Sequence, residues 1–313
     1  MAKKLAERWV ALLVLPGALF TMVVWLGVRL GQWHALDHAK LTQVGTEAAS
    51  YFSHQSLGFQ LMVVASVLLA SSGVGLVTQA LAGPTRVLYL GSWPRFLTLV
   101  QRWRVARRRR RWHRRVQHRR TLEQRYPASS RTPEQQQEIN TAAERVTDIS
   151  GSEPGRPTWM GDRIHSLEQI ALHRYGLDLT FAWPRLWLVF PDTVRTEITA
   201  ANAAFAAAVA TATWAWPYLL LGAVWWPSAV IGAGVAITGW TRARAALIDL
   251  TALSEAALDL HGRNLANALG ITNNEGTVPF VLVARDQVTF ETSTHPLTLA
   301  EGEQITTIVR KGR

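Results

Sequence analysis

The sequence contains no cysteine, which excludes structural disulfides, thiolate zinc sites and cysteine nucleophiles. Charge is scarce: Asp, Glu, Lys and Arg make up 18% of the 313 residues, against 48% apolar. It is scarcest in three runs, 9–28, 57–82 and 198–241, which carry none at all. No P-loop, dinucleotide fingerprint or nucleophile elbow is present, so no cofactor is expected. The uncharged runs also lack the ionisable residues that mark proton-coupled transport. A soluble globular protein has no reason to keep its charge so far from its apolar runs; a membrane protein does.

Each of the first two runs is close to the ~20 residues needed to cross a hydrocarbon core. The basic head with Lys3, Lys4 and Arg8 could open a signal peptide, but the run after it exceeds a typical apolar signal core of about 7–15 residues. An uncleaved span is expected. Gly83 and Pro84 are expected to end the second run. The third run would be about 66 Å long as one helix, roughly twice the core thickness. It is expected to fold back at 225–228, with Pro227 opening the returning helix, or else near Trp216 and Pro217.

What the chain has in abundance is arginine. Thirteen of the thirty-one residues at 95–125 are Arg, directly after an apolar run. Arginines beside a span stay on the cytoplasmic side, so four spans put both termini, the arginine tract and the segment before the third span inside. Phe96, Val100 and Trp103 share a helical face, but Val105, Trp112 and Val116 fall opposite. Either the helix breaks near Val105 or its second half is a solvated basic rod. Only 95–104 then looks fit to lie on lipid.

The candidate lipid- or partner-binding residues are Arg95, Arg102, Arg104, Arg107, Arg108, Arg109, Arg110, Arg111, Arg114 and Arg115. Anionic headgroups are the first expected partner. Nucleic acid is second, because Trp103, Trp112 and His113 could stack on bases between phosphate contacts. An acidic cytoplasmic protein is third, and homo-oligomers through the spans are possible. Trp93, Trp103, Trp183, Trp187, Trp225 and Trp226 are the expected interfacial aromatics.

Other motifs are weaker. His34 and His38 have a helical zinc spacing with Asp37 between them, but a solvated loop is the better reading and no metal site is assigned. Asp162, His165 and Glu168 could supply an acid and a base, but a helix cap with its polar face is the better reading. Gly232 and Gly234 suit close helix packing. Residues 127–155 read as a flexible linker with a short polar helix at 134–146. Gly176 stops a helix over 161–175, and Asp192 can cap the next. In the tail, 280–283 and 288–290 are candidate strands, and Thr298 with Glu301 forms a capping box.

The expected architecture is an all-α integral membrane protein with four transmembrane helices in two hairpins. Residues 1–94 hold the first hairpin, with spans near 9–30 and 57–82, and 95–156 the basic helix and linker. A cytoplasmic or interfacial segment covers 157–191. The second hairpin and its helical extension cover 192–269, with spans near 198–224 and 226–241, and 270–313 is a cytoplasmic tail with possible β structure. The expected role is a non-enzymatic anchor or interaction component for cytoplasmic partners. The alternatives are a membrane-perturbing effector that oligomerises through its spans, and an enzyme using the Asp162 and His165 region.

At Leu15-Pro16-Gly17-Ala18-Leu19-Phe20, Pro157-Thr158-Trp159-Met160-Gly161-Asp162-Arg163, Tyr175-Gly176-Leu177-Asp178-Leu179, Trp183-Pro184-Arg185-Leu186-Trp187 and Asp259-Leu260-His261-Gly262, the chain resembles uncharacterised multi-pass membrane proteins of high-GC Gram-positive bacteria. The likeness covers both hairpins and the segment between them. It implies a bacterial plasma membrane, and it carries over no activity and no functional residue.

Overall fold

The computed structural model describes residues 14–33, 35, 37–271 and 297–310. Every element among the described residues is helical, and none of them is a strand. The candidate strands at 280–283 and 288–290 lie outside the described residues. Contacts divide the chain into two units, Met1–Val87 with Ala204–Ala245, and Leu88–Ala203 with Ala246–Arg313.

In the first unit, α1 (Leu15–Leu30) packs along α3 (Leu57–Ala80), and α2 (His38–Ser53) lies between them in sequence. The expected polar loop after α1 is therefore largely helical. Asp37 accepts from the backbone N–H groups of Ala39 and Lys40 and so opens α2. The α1–α3 seam is narrow: a Cβ on Gly17 would lie 2.1 Å from the Ser71 carbonyl oxygen. Thr21 Oγ1 meets Ser71 Oγ at 3.0 Å beside it.

Proline explains where these helices are interrupted. Pro84 has no N–H to give the carbonyl of Ala80, and α3 closes there. The chain does not stop being helical, however; α4 (Ala82–Leu90) follows at once. Likewise Pro217 cannot bond the carbonyl of Thr213, where α9 (Asp192–Thr213) ends before the short α10 (Ala215–Leu221). The reversal comes after α10, and α11 (Trp226–Ala268) starts with Pro227 in its first turn. Gly239 lets α9 and α11 close up, since a Cβ there would lie 2.5 Å from that of Ala212. Asp192 is not the residue before α9 but its first, beside Arg195.

Two helical stretches, one opening at Leu57 and one over Asp192–Leu221, are long and apolar enough to cross a membrane. Leu15–Leu30 is apolar but shorter. The stretch expected as the fourth span opens α11; its glycines, threonines and tryptophans make it less apolar than the other two.

The second unit is built on a core of Leu177, Leu186, Phe190, Leu258, Leu265 and Ile305, all buried. Leu186 lies on α8 (Leu179–Val189), with Leu177 and Phe190 flanking it, Leu258 and Leu265 on the second half of α11 and Ile305 on α12 (Leu299–Arg310); Ala171 and Tyr175 of α7 (Trp159–Tyr175) join them. Gly176, at φ +65°, ends α7 in the left-handed conformation. Thr298 and Glu301 form the reciprocal cap of α12. That helix sits close: a Cβ on Gly302 would lie 1.5 Å from the Tyr175 carbonyl oxygen. Thr306 Oγ1 donates to the Gly176 carbonyl, and Arg310 pairs with Asp178 at 2.7 Å. Burial pushes the Asp178 carboxyl up, but hydrogen bonds from Arg310 and Thr180 more than offset this and hold it below the usual carboxylate range.

Candidate functional site

The arginine tract forms one continuous helix, α5 (Thr98–Arg125), preceded by a single 3-10 turn at Arg95–Leu97. It does not break at Val105. The change of apolar face has another cause: the second face is occupied. Val105, Arg108, Trp112, Val116, Arg119 and Leu122 recur at helical spacing and are the partly or fully buried side of α5. Leu122 packs with Ile139 and Ala142 of α6 (Pro133–Thr147), with Tyr126 beside them. Helix α6 is opened by a capping box of Thr132 and Gln135. The stretch read as a flexible linker thus carries an ordered helix, held by three buried apolar side chains, Ile139, Ala142 and Val146.

The rest of that face is fixed by hydrogen bonds centred on Asp162, whose side chain is 2% exposed. Arg108 reaches Asp162 Oδ2 through Nη2 at 2.6 Å and Nε at 3.1 Å, and its Nη2 also donates to the Ile149 carbonyl at 2.7 Å. The other carboxylate oxygen accepts from the backbone N–H groups of Gly155 (2.8 Å) and Arg156 (2.6 Å). Trp112 Nε1 donates to the Ser150 carbonyl, Arg109 Nε to that of Pro154, and Arg115 to that of Arg145. Three residues of the arginine set are therefore structural donors to the 145–154 backbone.

The segment 157–163 forms the other side of this knot. Thr158 caps α7 by accepting from Gly161 N, and its hydroxyl donates to the Tyr89 carbonyl. Gly161 admits the Leu90 carbonyl, which would lie 2.3 Å from an added Cβ. Arg163 Nε donates to Thr251 Oγ1 on α11 at 3.0 Å. Each of these polar residues has a positioning task. Asp162 is neither a helix cap nor a solvated acid: both its oxygens are taken. His165 lies over Gly155 and meets Glu168 at 3.4 Å.

The opposite side of α5 is exposed among the described residues. Arg102, Arg104, Arg107, Arg110, Arg111 and Arg114 are exposed, as is Arg95 at the helix entrance. Arg104 lies over the Trp93 ring at 5.5 Å and Arg107 over Trp103 at 5.4 Å. Arg110, Arg111 and Arg114 make no hydrogen bond or ion pair with any described residue. No acidic residue occurs from Arg95 to Leu122 to neutralise them.

The expected interfacial aromatics divide. Trp93 is half-buried, with Nε1 donating to the Leu88 carbonyl. Trp103 is 60% exposed. Trp183 and Trp187 are packed against the core of the second unit, Trp183 edge-on to Phe190, rather than turned outward. Trp225 is buried against Gly27, where a Cβ would lie 3.2 Å from it, while Trp226 is exposed. This explains Gly27 as a seat for tryptophan. Gly232 faces Leu219, whereas a Cβ on Gly234 would have no described residue within 4 Å. Asp37 is committed to its cap, His34 lies outside the described residues, and no group of three potential metal ligands occurs among the described residues.

The class these observations define is a protein whose described residues form helices alone, two of them long and apolar enough to cross a membrane. Comparison with protein-family models, curated proteins and solved structures finds no match.

Proposed function

We propose that the chain is a four-span protein of a bacterial plasma membrane that anchors cytoplasmic partners without catalysing a reaction. In this reading both termini, residues 95–191 and the chain after 242 are cytoplasmic.

The observation that carries it is the inverted pattern of α3. Its buried residues are Ser71, Gly75 and Thr78, while Leu57, Leu69 and Val77 are 73%, 74% and 65% exposed. A helix in water hides its leucines and shows its serines. One in lipid gains nothing by hiding leucine and packs through small residues instead. An uncovered apolar surface of this kind otherwise marks a binding face or an aggregation hazard. The absence of lysine and arginine near the two outer turns, other than Arg29 and Lys40, agrees with the positive-inside rule. The anchoring role is supported by the second unit, whose ionisable residues at 157–163 are engaged in holding helices together.

Photo-crosslinkers placed in living cells at exposed positions of the second unit test the role. An anchor gives the same discrete adduct from neighbouring positions on one face. Absence of any adduct at every position contradicts it. The membrane-perturbing alternative predicts dye leakage from vesicles holding the full chain, and the anchor reading predicts tight vesicles.

A further inference from the structure

The two faces of α5 have different tasks, and only one is accounted for by the fold. With Val105, Trp112 and Val116 turned inward, the outward face reads Leu99, Trp103, Ala106, Arg107, Arg110 and Arg114. It is apolar at its start and wholly cationic beyond. Phe96, Leu99 and Trp103 are 82%, 79% and 60% exposed. Above Ala106, the side chains of Trp103, Arg107, Arg110, Arg111 and Arg114 wall an open groove of about 430 Å³.

We propose that this face docks on an anionic phospholipid surface, with Leu99 and Trp103 at the headgroup–acyl boundary and the four arginines on lipid phosphates. The proposal rests on the membrane reading above and deepens it. Charge complementarity identifies the occupant: guanidinium groups bind phosphate oxygens in pairs, and no carboxylate on this face competes. The apolar start favours lipid over nucleic acid. Nucleic-acid binding needs aromatic rings interleaved with the phosphate contacts. Here Trp112 is turned away and bonded to the Ser150 carbonyl, and His113 sits beside Glu153 at 3.6 Å. That leaves Phe96 and Trp103, both at one end. The lipid-facing stretch therefore extends past Arg104 to Arg114, further than the apolar residues alone marked it.

The absence of cysteine makes the test clean. Leu99→Cys carries an environment-sensitive dye in the full chain, inserted in nanodiscs of zwitterionic lipid with or without about one-third phosphatidylglycerol. Glu138→Cys, on an exposed position of α6, is the control. The dye at Leu99 is expected to become shielded from an aqueous quencher only in anionic discs, and the control to stay exposed in both.

Each arginine near an anionic surface contributes roughly fivefold to the docking equilibrium constant. Replacing Arg107, Arg110, Arg111 and Arg114 together with Gln should therefore return the Leu99 dye to water. Should that variant fold poorly, raising salt on the Leu99-labelled protein with its arginines intact gives the same readout, because screening removes the attraction. Equal exposure in both disc types, or shielding by added RNA in zwitterionic discs instead, overturns the proposal. A chain that stays in solution without lipid or detergent sinks the membrane reading first, so the two failures are distinguishable.

Discussion

Replacing Asp162 with asparagine removes one charge and almost no volume, and it isolates the Asp162–Arg108 knot. Whichever way the new amide is turned, its NH₂ faces donors. On one side are Gly155 N and Arg156 N, and on the other is the Arg108 guanidinium. Breaking one partner of a buried pair costs about 3–5 kcal/mol. The Arg108 side chain is 21% exposed and keeps its bond to the Ile149 carbonyl, so about 3 kcal/mol is expected here. For a body of roughly 150–250 residues that lowers the melting temperature by about 6–12 °C. The assay is thermal unfolding of the detergent-solubilised full chain, with Arg108→Met, the double variant and Arg110→Met alongside. Arg108→Met should be nearly as costly as Asp162→Asn, and the two should be strongly non-additive. Arg110→Met, on the free face, should change little. If Asp162→Asn costs no more than Arg110→Met, the assignment of Asp162 as the organiser of this region is wrong.

Two further outcomes follow from the packing around Tyr175. Gly302→Ala places a methyl against the Tyr175 carbonyl and should undock α12, losing about 1.5–3 kcal/mol for each of Ile305 and Val309 exposed; fast hydrogen exchange at 299–310 reads this, and Gly234→Ala should be silent. Burial, then the hydrogen bond to Asp259, pushes the Tyr175 hydroxyl up to about 12. A raised value favours the neutral form in the fold, so this contribution holds below the ordinary tyrosine range near 10 and is lost as pH rises through about 12. Tyr175→Phe should flatten the alkaline limb of a stability–pH curve measured by thermal unfolding.

Local signals were the most readable part of this sequence. Gly176 as a helix stop, and Thr298 with Glu301 as a cap, depend on neighbours within a few residues, and periodicity suffices to find them. The all-helical character followed from uncharged runs and helical spacing in the same way. The knot around Asp162 was not readable, because its partners lie at Arg108 and at the backbone of 149–156, brought together only when α5 packs on α6. The same packing explains the reversal of apolar face at Val105, which sequence alone could equally assign to a broken helix. Which arginines are free was therefore hidden too: Arg108 and Arg110 are indistinguishable in composition and differ only in the side of α5 they occupy. The protein contacts of Trp183, Trp187 and Trp225 were hidden for a related reason, since tryptophan near an apolar run serves a protein core as readily as a headgroup layer.

The orientation of the arginine helix can be measured directly in a chain without cysteine. Thr46→Cys on α2, Arg120→Cys on α5 and Glu303→Cys on α12 are each treated with a membrane-impermeant maleimide, in intact and in permeabilised cells. The four-span account predicts labelling of Thr46→Cys in intact cells, and of Arg120→Cys and Glu303→Cys only after permeabilisation. Labelling of Arg120→Cys from outside intact cells would contradict it.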